Sequence, residues 1–233
     1  MSARVKTAIL ISGRGSNMQA LVAAAAERDY PAEIVGVVSD RPEAGGLAVA
    51  AAHGIATAAL PRGDFPSRDA HEAAIDLVLR DWGAEIVCLA GYMRMLSAGF
   101  VERRLGRVIN IHPSLLPLFK GLDTHSRALE AGVSLHGCTV HFVTAGMDEG
   151  PIIGQAAVPV SPSDTPDTLA SRVLHAEHQL YGRVLRWVAE GRVTLENGRA
   201  VHTGFTADDS AALIAPTPGI DPAHLENLAR FTP

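Results

Sequence analysis

The chain has 233 residues and a formal net charge of −5 with no basic block, which argues against nonspecific nucleic-acid binding but leaves room for a local cationic pocket. Hydrophobic residues make up 47% and aromatic residues only 5%, so a full core is expected to be built from Ala, Val, Leu and Ile. Cys88 and Cys138 stand alone in apolar stretches, without zinc or disulfide spacing, and the run Ala8–Ile11 is too short for a signal peptide or membrane span; a cytoplasmic protein is expected.

Apolar runs alternate with helical patterns along most of the chain. A strand is expected over Val5–Ser12, then a helix from Asn17 to Arg28. The pattern repeats with a strand at Ile34–Ser39 before the Ala-rich helix Leu47–His53, and a short strand at Ile55–Leu60 before the helix Arg68–Trp82. Ile86–Ala90 precedes a helix at Ser97–Leu105, and Val108–Ile111 precedes a loop and a helix at Thr124–Ala131. Uncharged strands alternating with helices predict a Rossmann-like, mostly parallel α/β sheet with helices on both faces and ligands at the C-terminal strand ends.

The pattern then changes. Cys138–Thr144 and Ile152–Val160 have no helix between them, which predicts an antiparallel addition toward the C-terminus. A long helix follows over Pro166–Val188, with Thr165 as N-cap and Pro at the first helical position. Asn197-Gly198 between Val193–Leu195 and Ala200–His202 signals a hairpin. The domain expected is 1–205, with 206–233, rich in Pro, Ala and Asp, as a weakly ordered or peripheral extension.

Four stretches carry candidate chemistry. In Ser12-Gly13-Arg14-Gly15-Ser16-Asn17 the glycines open a helix N-terminus, which suits a phosphate or a plain capping turn; the spacing is neither a dinucleotide fingerprint nor a P-loop. In Gly91-Tyr92-Met93-Arg94-Met95-Leu96, directly after a strand, apolar side chains suit either a flat ring or ordinary packing. In Val108–Pro117, strand alternation points Asn110 and His112 the same way, as an oxyanion site or a capped strand end. In Asp148-Glu149-Gly150-Pro151 a carboxylate sits on a connection between strands, as a functional group or a solvated turn. Lys120 and His125, in the loop after the Asn-His strand, are candidates to assist a phosphate or carbonyl.

These stretches, in this order and joined by His141-Phe142-Val143, resemble the phosphoribosylglycinamide formyltransferase family over about Lys6 to Val193. Asn-x-His-Pro-Ser-Leu-Leu-Pro marks the wider folate-dependent formyltransferases, whereas the Ser-Gly-x-Gly-Ser-Asn start is narrower. The resemblance implies formyl transfer from 10-formyltetrahydrofolate, as co-substrate, to the amine of glycinamide ribonucleotide in purine synthesis. It implies that Asn110, His112 and Asp148 are catalytic and that Gly15, Ser16, Asn17 and Glu177 hold the nucleotide. Arg68, Met93, Arg94, Met95, Leu96 and Thr144, with Asn110 and Asp148, would hold the folate. Position 123 departs from the pattern, with Asp123 where some members carry histidine.

In the implied mechanism Asn110 and a charged His112 donate to the oxyanion, and Asp148 orients His112 and relays a proton through water. No covalent intermediate or metal is needed, the histidines being scattered, and the expected partners are small molecules, with no nucleic acid or membrane, acting on a monomer or homodimer. Competing expectations are methionyl-tRNA formyltransferase, formyltetrahydrofolate hydrolase and a non-catalytic phosphoribosyl sensor. The first is disfavoured because the remainder after the long helix has no room for an RNA-binding barrel. The second is disfavoured because the first strand begins at about Val5, leaving no regulatory domain ahead of it.

Overall fold

A computed structural model of the chain describes residues 3–205. The extension expected at 206–233 lies outside the described residues. The elements run β1 (Val5–Ile11), α1 (Ser16–Ala25), β2 (Ala32–Ser39), α2 (Gly45–Ala52), β3 (Ala56–Ala59), α3 (Arg68–Asp81), β4 (Ile86–Leu89), α4 (Ala98–Arg103), β5 (Val108–His112) and α5 (Thr124–Glu130). They continue as β6 (Leu135–Phe142), β7 (Ile152–Pro159), α6 (Pro166–Ala189), β8 (Val193–Glu196) and β9 (Arg199–His202).

Seven strands form one sheet in the order β3-β2-β1-β4-β5-β6-β7. The first five are parallel, and β6 and β7 are antiparallel additions, as the lack of an intervening helix predicts. Strand alternation builds the two faces. Ile9 and Ile11 of β1 share a core with Leu21 of α1 and with Leu180, Tyr181 and Val184 of α6. Ala8 and Leu10 turn the other way, onto Ile75 and Leu79 of α3 and Phe100 of α4. Cys88 and Cys138 are fully buried thiols of the first core.

Local chemistry fixes the helix ends. Thr165 accepts from the backbone N–H of Thr168 while the Thr168 hydroxyl accepts from that of Thr165, a reciprocal capping box with Pro166 opening the helix. The Arg4 guanidinium takes the carbonyls of Ala25 (2.7 Å) and Glu27 (2.8 Å), ending α1 before the expected Arg28. Asn197 and Gly198 both have positive φ, 49° and 74°, and close the β8–β9 hairpin. β6 begins earlier than expected because His136 and Gly137 pair with Val158 and Ala157, a register that interrupts the apolar run but not the ladder. Among the described residues, no helix is long and apolar enough to cross a membrane.

Candidate active site

The sheet order reverses direction between β1 and β4, and the connections leaving those strands open a crevice at their C-terminal ends. A cavity of about 640 Å³ occupies it. Asn110 and His112, at the end of β5, both line this cavity, as their two-residue spacing requires.

Asn110 lies opposite His141 across the β5–β6 ladder, and its amide donates to His141 Nε2 at 3.2 Å. His141 Nδ1 donates to the Phe142 carbonyl at 2.9 Å, which leaves Nε2 as the unprotonated acceptor. Burial lowers the His141 pKa, the Phe142 carbonyl and Asp148 opposing the shift, so the ring is neutral at neutral pH. A neutral His141 therefore fixes the orientation of the Asn110 amide and leaves the other N–H of that amide for a ligand. Sequence alone marks no role for His141. The signal was its register opposite Asn110, which appears only once the strands are paired.

His112 is buried between two acceptors. Nε2 donates to the Phe119 carbonyl at 3.0 Å, and Nδ1 faces Asp148 Oδ2 at 3.4 Å. In this conformation direct donation from Nε2 to a ligand requires the ring to leave the Phe119 carbonyl. Asp148 holds its own position on a backbone of φ 52° and accepts the Gly121 N–H at 2.9 Å.

Two loops meet around this pair. Thr139 pins the first, donating to the Ser114 carbonyl at 2.7 Å and accepting the Leu116 N–H at 3.0 Å. The second, which carries Asp148, is pressed against β6: a Cβ on Gly150 would stand 1.6 Å from the Phe142 carbonyl oxygen. Lys120 reaches across to Glu149 at 2.9 Å, so it joins the loops rather than standing free for a phosphate. His125 lines the cavity with its ring packed edge-on to His136, 5.3 Å between centroids, and Asp123 lines it just ahead of α5.

At the other end of the cavity the turn after β1 opens α1. Gly15 caps the helix at φ 74°, and no side chain occupies the cap. A Cβ at Gly15 would approach Met18 Cε to 2.9 Å, so the N–H groups beyond it are presented by a backbone that only glycine accommodates. Gly15 and Ser16 form this turn beside the cavity, while Asn17 lines it. The Asn17 amide donates to Glu177 Oε2 at 2.7 Å, and Asn17 Oδ1 is buried without a partner. Burial raises the Glu177 pKa and Asn17 partly offsets this.

The third wall is the segment after β4. Met93, Arg94, Met95 and Leu96 line the cavity with Thr144 opposite, and Met93 and Met95 are 59% and 50% exposed, open apolar surface at a cavity mouth. Arg68, like Gly15 and Ser16, does not line this cavity. It donates to the Met95 carbonyl (2.6 Å) and to Glu72 (3.1 Å), and with Arg62 it lines a neighbouring cavity of about 360 Å³.

The Formyl transferase family model matches residues 5–185. The phosphoribosylglycinamide formyltransferase of Escherichia coli is 41% identical over 208 residues, which are 86% of this chain and 98% of that protein. The bovine trifunctional purine biosynthetic protein adenosine-3 is 48% identical over 84% of this chain, but the chain spans only 20% of that protein's length. Among solved structures, phosphoribosylglycinamide formyltransferase from Brucella melitensis is 59% identical with a TM-score of 0.78, covering 80% of this chain and 96% of that one. A formyltetrahydrofolate deformylase from Pseudomonas syringae is 26% identical with a TM-score of 0.79, covering 87% of this chain and 67% of that one. With a matched region that contains Asn110, His112, Asp148 and both ends of the cavity, the chain belongs to the formyl transferase family.

Proposed function

We propose that this chain transfers the formyl group of 10-formyltetrahydrofolate to the amine of 5'-phosphoribosylglycinamide, with residues 1–205 as the catalytic unit. One observation carries the reading: the Asn110–His112–Asp148 cluster and the Asn17–Glu177 pair line the same cavity. The phosphate would sit on the turn of Gly15, Ser16 and Asn17, and Glu177 would take the polar body of the nucleotide. The folate ring would lie against Met93–Leu96, with Thr144 and Asp148 on its other side, and Arg68 would support that wall from behind through the Met95 carbonyl.

In this reading the amine attacks the formyl carbon, a C–N bond forms and the carbonyl oxygen becomes an oxyanion. The free N–H of Asn110 donates to that oxygen, and the His112 cation beside it stabilises the charge; one such donor is worth roughly 3 kcal/mol of barrier. The amine gives up one proton toward Asp148 through water. The bond to folate then breaks, and the leaving nitrogen receives one proton, so the carboxylate ends unchanged.

The test mixes the purified chain with both substrates and follows tetrahydrofolate release by absorbance. Turnover that requires the nucleotide is expected. Folate cleavage at the same rate without nucleotide would instead mark a hydrolase, and no turnover with both substrates would overturn the assignment.

A further inference from the structure

We infer that Asp40 is a positioning residue through which the two substrates sense each other, because its carboxylate holds the nucleotide turn and the folate segment together. The inference rests on the assignment of those two regions to nucleotide and folate.

Asp40 follows β2 directly and its side chain is only 2% exposed. Its two oxygens are taken from different connections. Ser12, the residue before the glycine turn, donates its hydroxyl to Oδ1 at 2.5 Å. Arg94, in the folate segment, donates Nε to Oδ2 at 2.5 Å. Having spent its one hydrogen on Asp40, the Ser12 hydroxyl accepts the Met93 N–H at 2.9 Å. Asp40 thus sets the direction of Ser12, and Ser12 sets the height of the Met93 backbone. A buried carboxylate held by an arginine and a hydroxyl is a rigid junction, since moving either partner strands a desolvated charge.

A second buried carboxylate supplies the contrast. Glu72 holds the far end of the same segment, accepting from the Ser97 N–H at 2.7 Å, from the Ser97 hydroxyl and from Arg68 at 3.1 Å. None of these bonds involves residues 12–17. Glu72 braces the folate wall alone, whereas Asp40 braces it against the nucleotide turn.

The consequence is a coupling between the two ligands, equal in both directions by linkage. Calorimetry measures it directly: the Kd of 5'-phosphoribosylglycinamide is determined with and without saturating tetrahydrofolate, which carries no formyl group and does not react. In the wild-type chain tetrahydrofolate is expected to tighten nucleotide binding by about fivefold or more. In Asp40→Asn and Ser12→Ala that factor is expected to fall to within about twofold of unity, whereas Glu72→Gln weakens folate binding but keeps the factor. A factor near unity in the wild type, or an undiminished one in folded Asp40→Asn, overturns the inference. If Asp40→Asn does not fold, Ser12→Ala decides, since it leaves the Asp40–Arg94 pair in place, and an undiminished factor there overturns the inference as well. Wild-type chain that binds neither ligand refutes the functional assignment and this inference together; binding without coupling refutes only the inference.

Discussion

Asp148→Asn removes the charge facing His112 and, with it, the carboxylate proposed to take the amine proton. The amide keeps an oxygen for the Gly121 N–H, so the loop keeps its anchor while the charge facing His112 is lost. The His112–Asp148 contact is 3.4 Å long between side chains 7% and 13% exposed. At that separation the attraction between unit charges is about 5 kcal/mol at an effective dielectric near 20 and about 1 kcal/mol in bulk water. The pair sits nearer the buried limit, and the cost of desolvating it trims the gain. From charge alone we therefore expect a loss of about 3–4 kcal/mol in transition-state stabilisation, or roughly 10²–10³-fold in kcat, to which loss of the proton acceptor adds. Single-turnover absorbance measurements on the preformed ternary complex read this step without product release. Nucleotide affinity should stay near wild type. A kcat within about tenfold of wild type would show that the carboxylate does not work through charge on His112.

Glu177→Gln should weaken nucleotide binding in calorimetry while raising the Tm by about 2–4 °C, because it removes a carboxylate whose ionisation burial already opposes. Thr139→Val keeps the shape but removes the hydroxyl that donates to the Ser114 carbonyl and accepts from the Leu116 N–H and the Gln155 amide, and denaturant unfolding should register a loss of about 1–2 kcal/mol. His136 is buried with neither ring nitrogen partnered, and burial, with His125 adding repulsion, lowers its pKa from 6.5 to about 4. The unfolded chain takes up that proton first, so stability is complete above pH 6.5 and declines as pH falls toward 4. His136→Leu should flatten the Tm profile across that window, and an unchanged slope would assign acid sensitivity elsewhere.

Much of this architecture was visible in the chain because parallel strands buried on both faces leave uncharged runs. The change to antiparallel pairing was equally visible, since no helical stretch separates the last two strands. Asn110 and His112 could be placed together from alternation alone, as both sit on one strand. Asp148 could not. Its approach to His112 depends on a left-handed residue and on the Gly150 contact with Phe142, neither of which has a periodicity to read. His141 and Thr139 were missed for a related reason: each acts through its partner on a neighbouring strand or loop, and register is a property of the pair. Arg68, linked to the folate by resemblance, donates to the Met95 carbonyl and shares a neighbouring cavity with Met93–Leu96, a placement that depends on how α3 packs and has no periodicity to read.

The position of the crevice between β1 and β4 bears on how this fold can change its chemistry. In the proposed assignment the nucleotide turn belongs to one βα connection, and the folate segment and the Asn110–His112 pair belong to others, so rebuilding the turn from Gly13 to Asn17 is expected to change the acceptor without disturbing β5. Ser12 marks the seam. A graft that replaces the turn should begin after it, because the hydroxyl that touches Asp40 and Met93 belongs to the donor half as much as to the acceptor half.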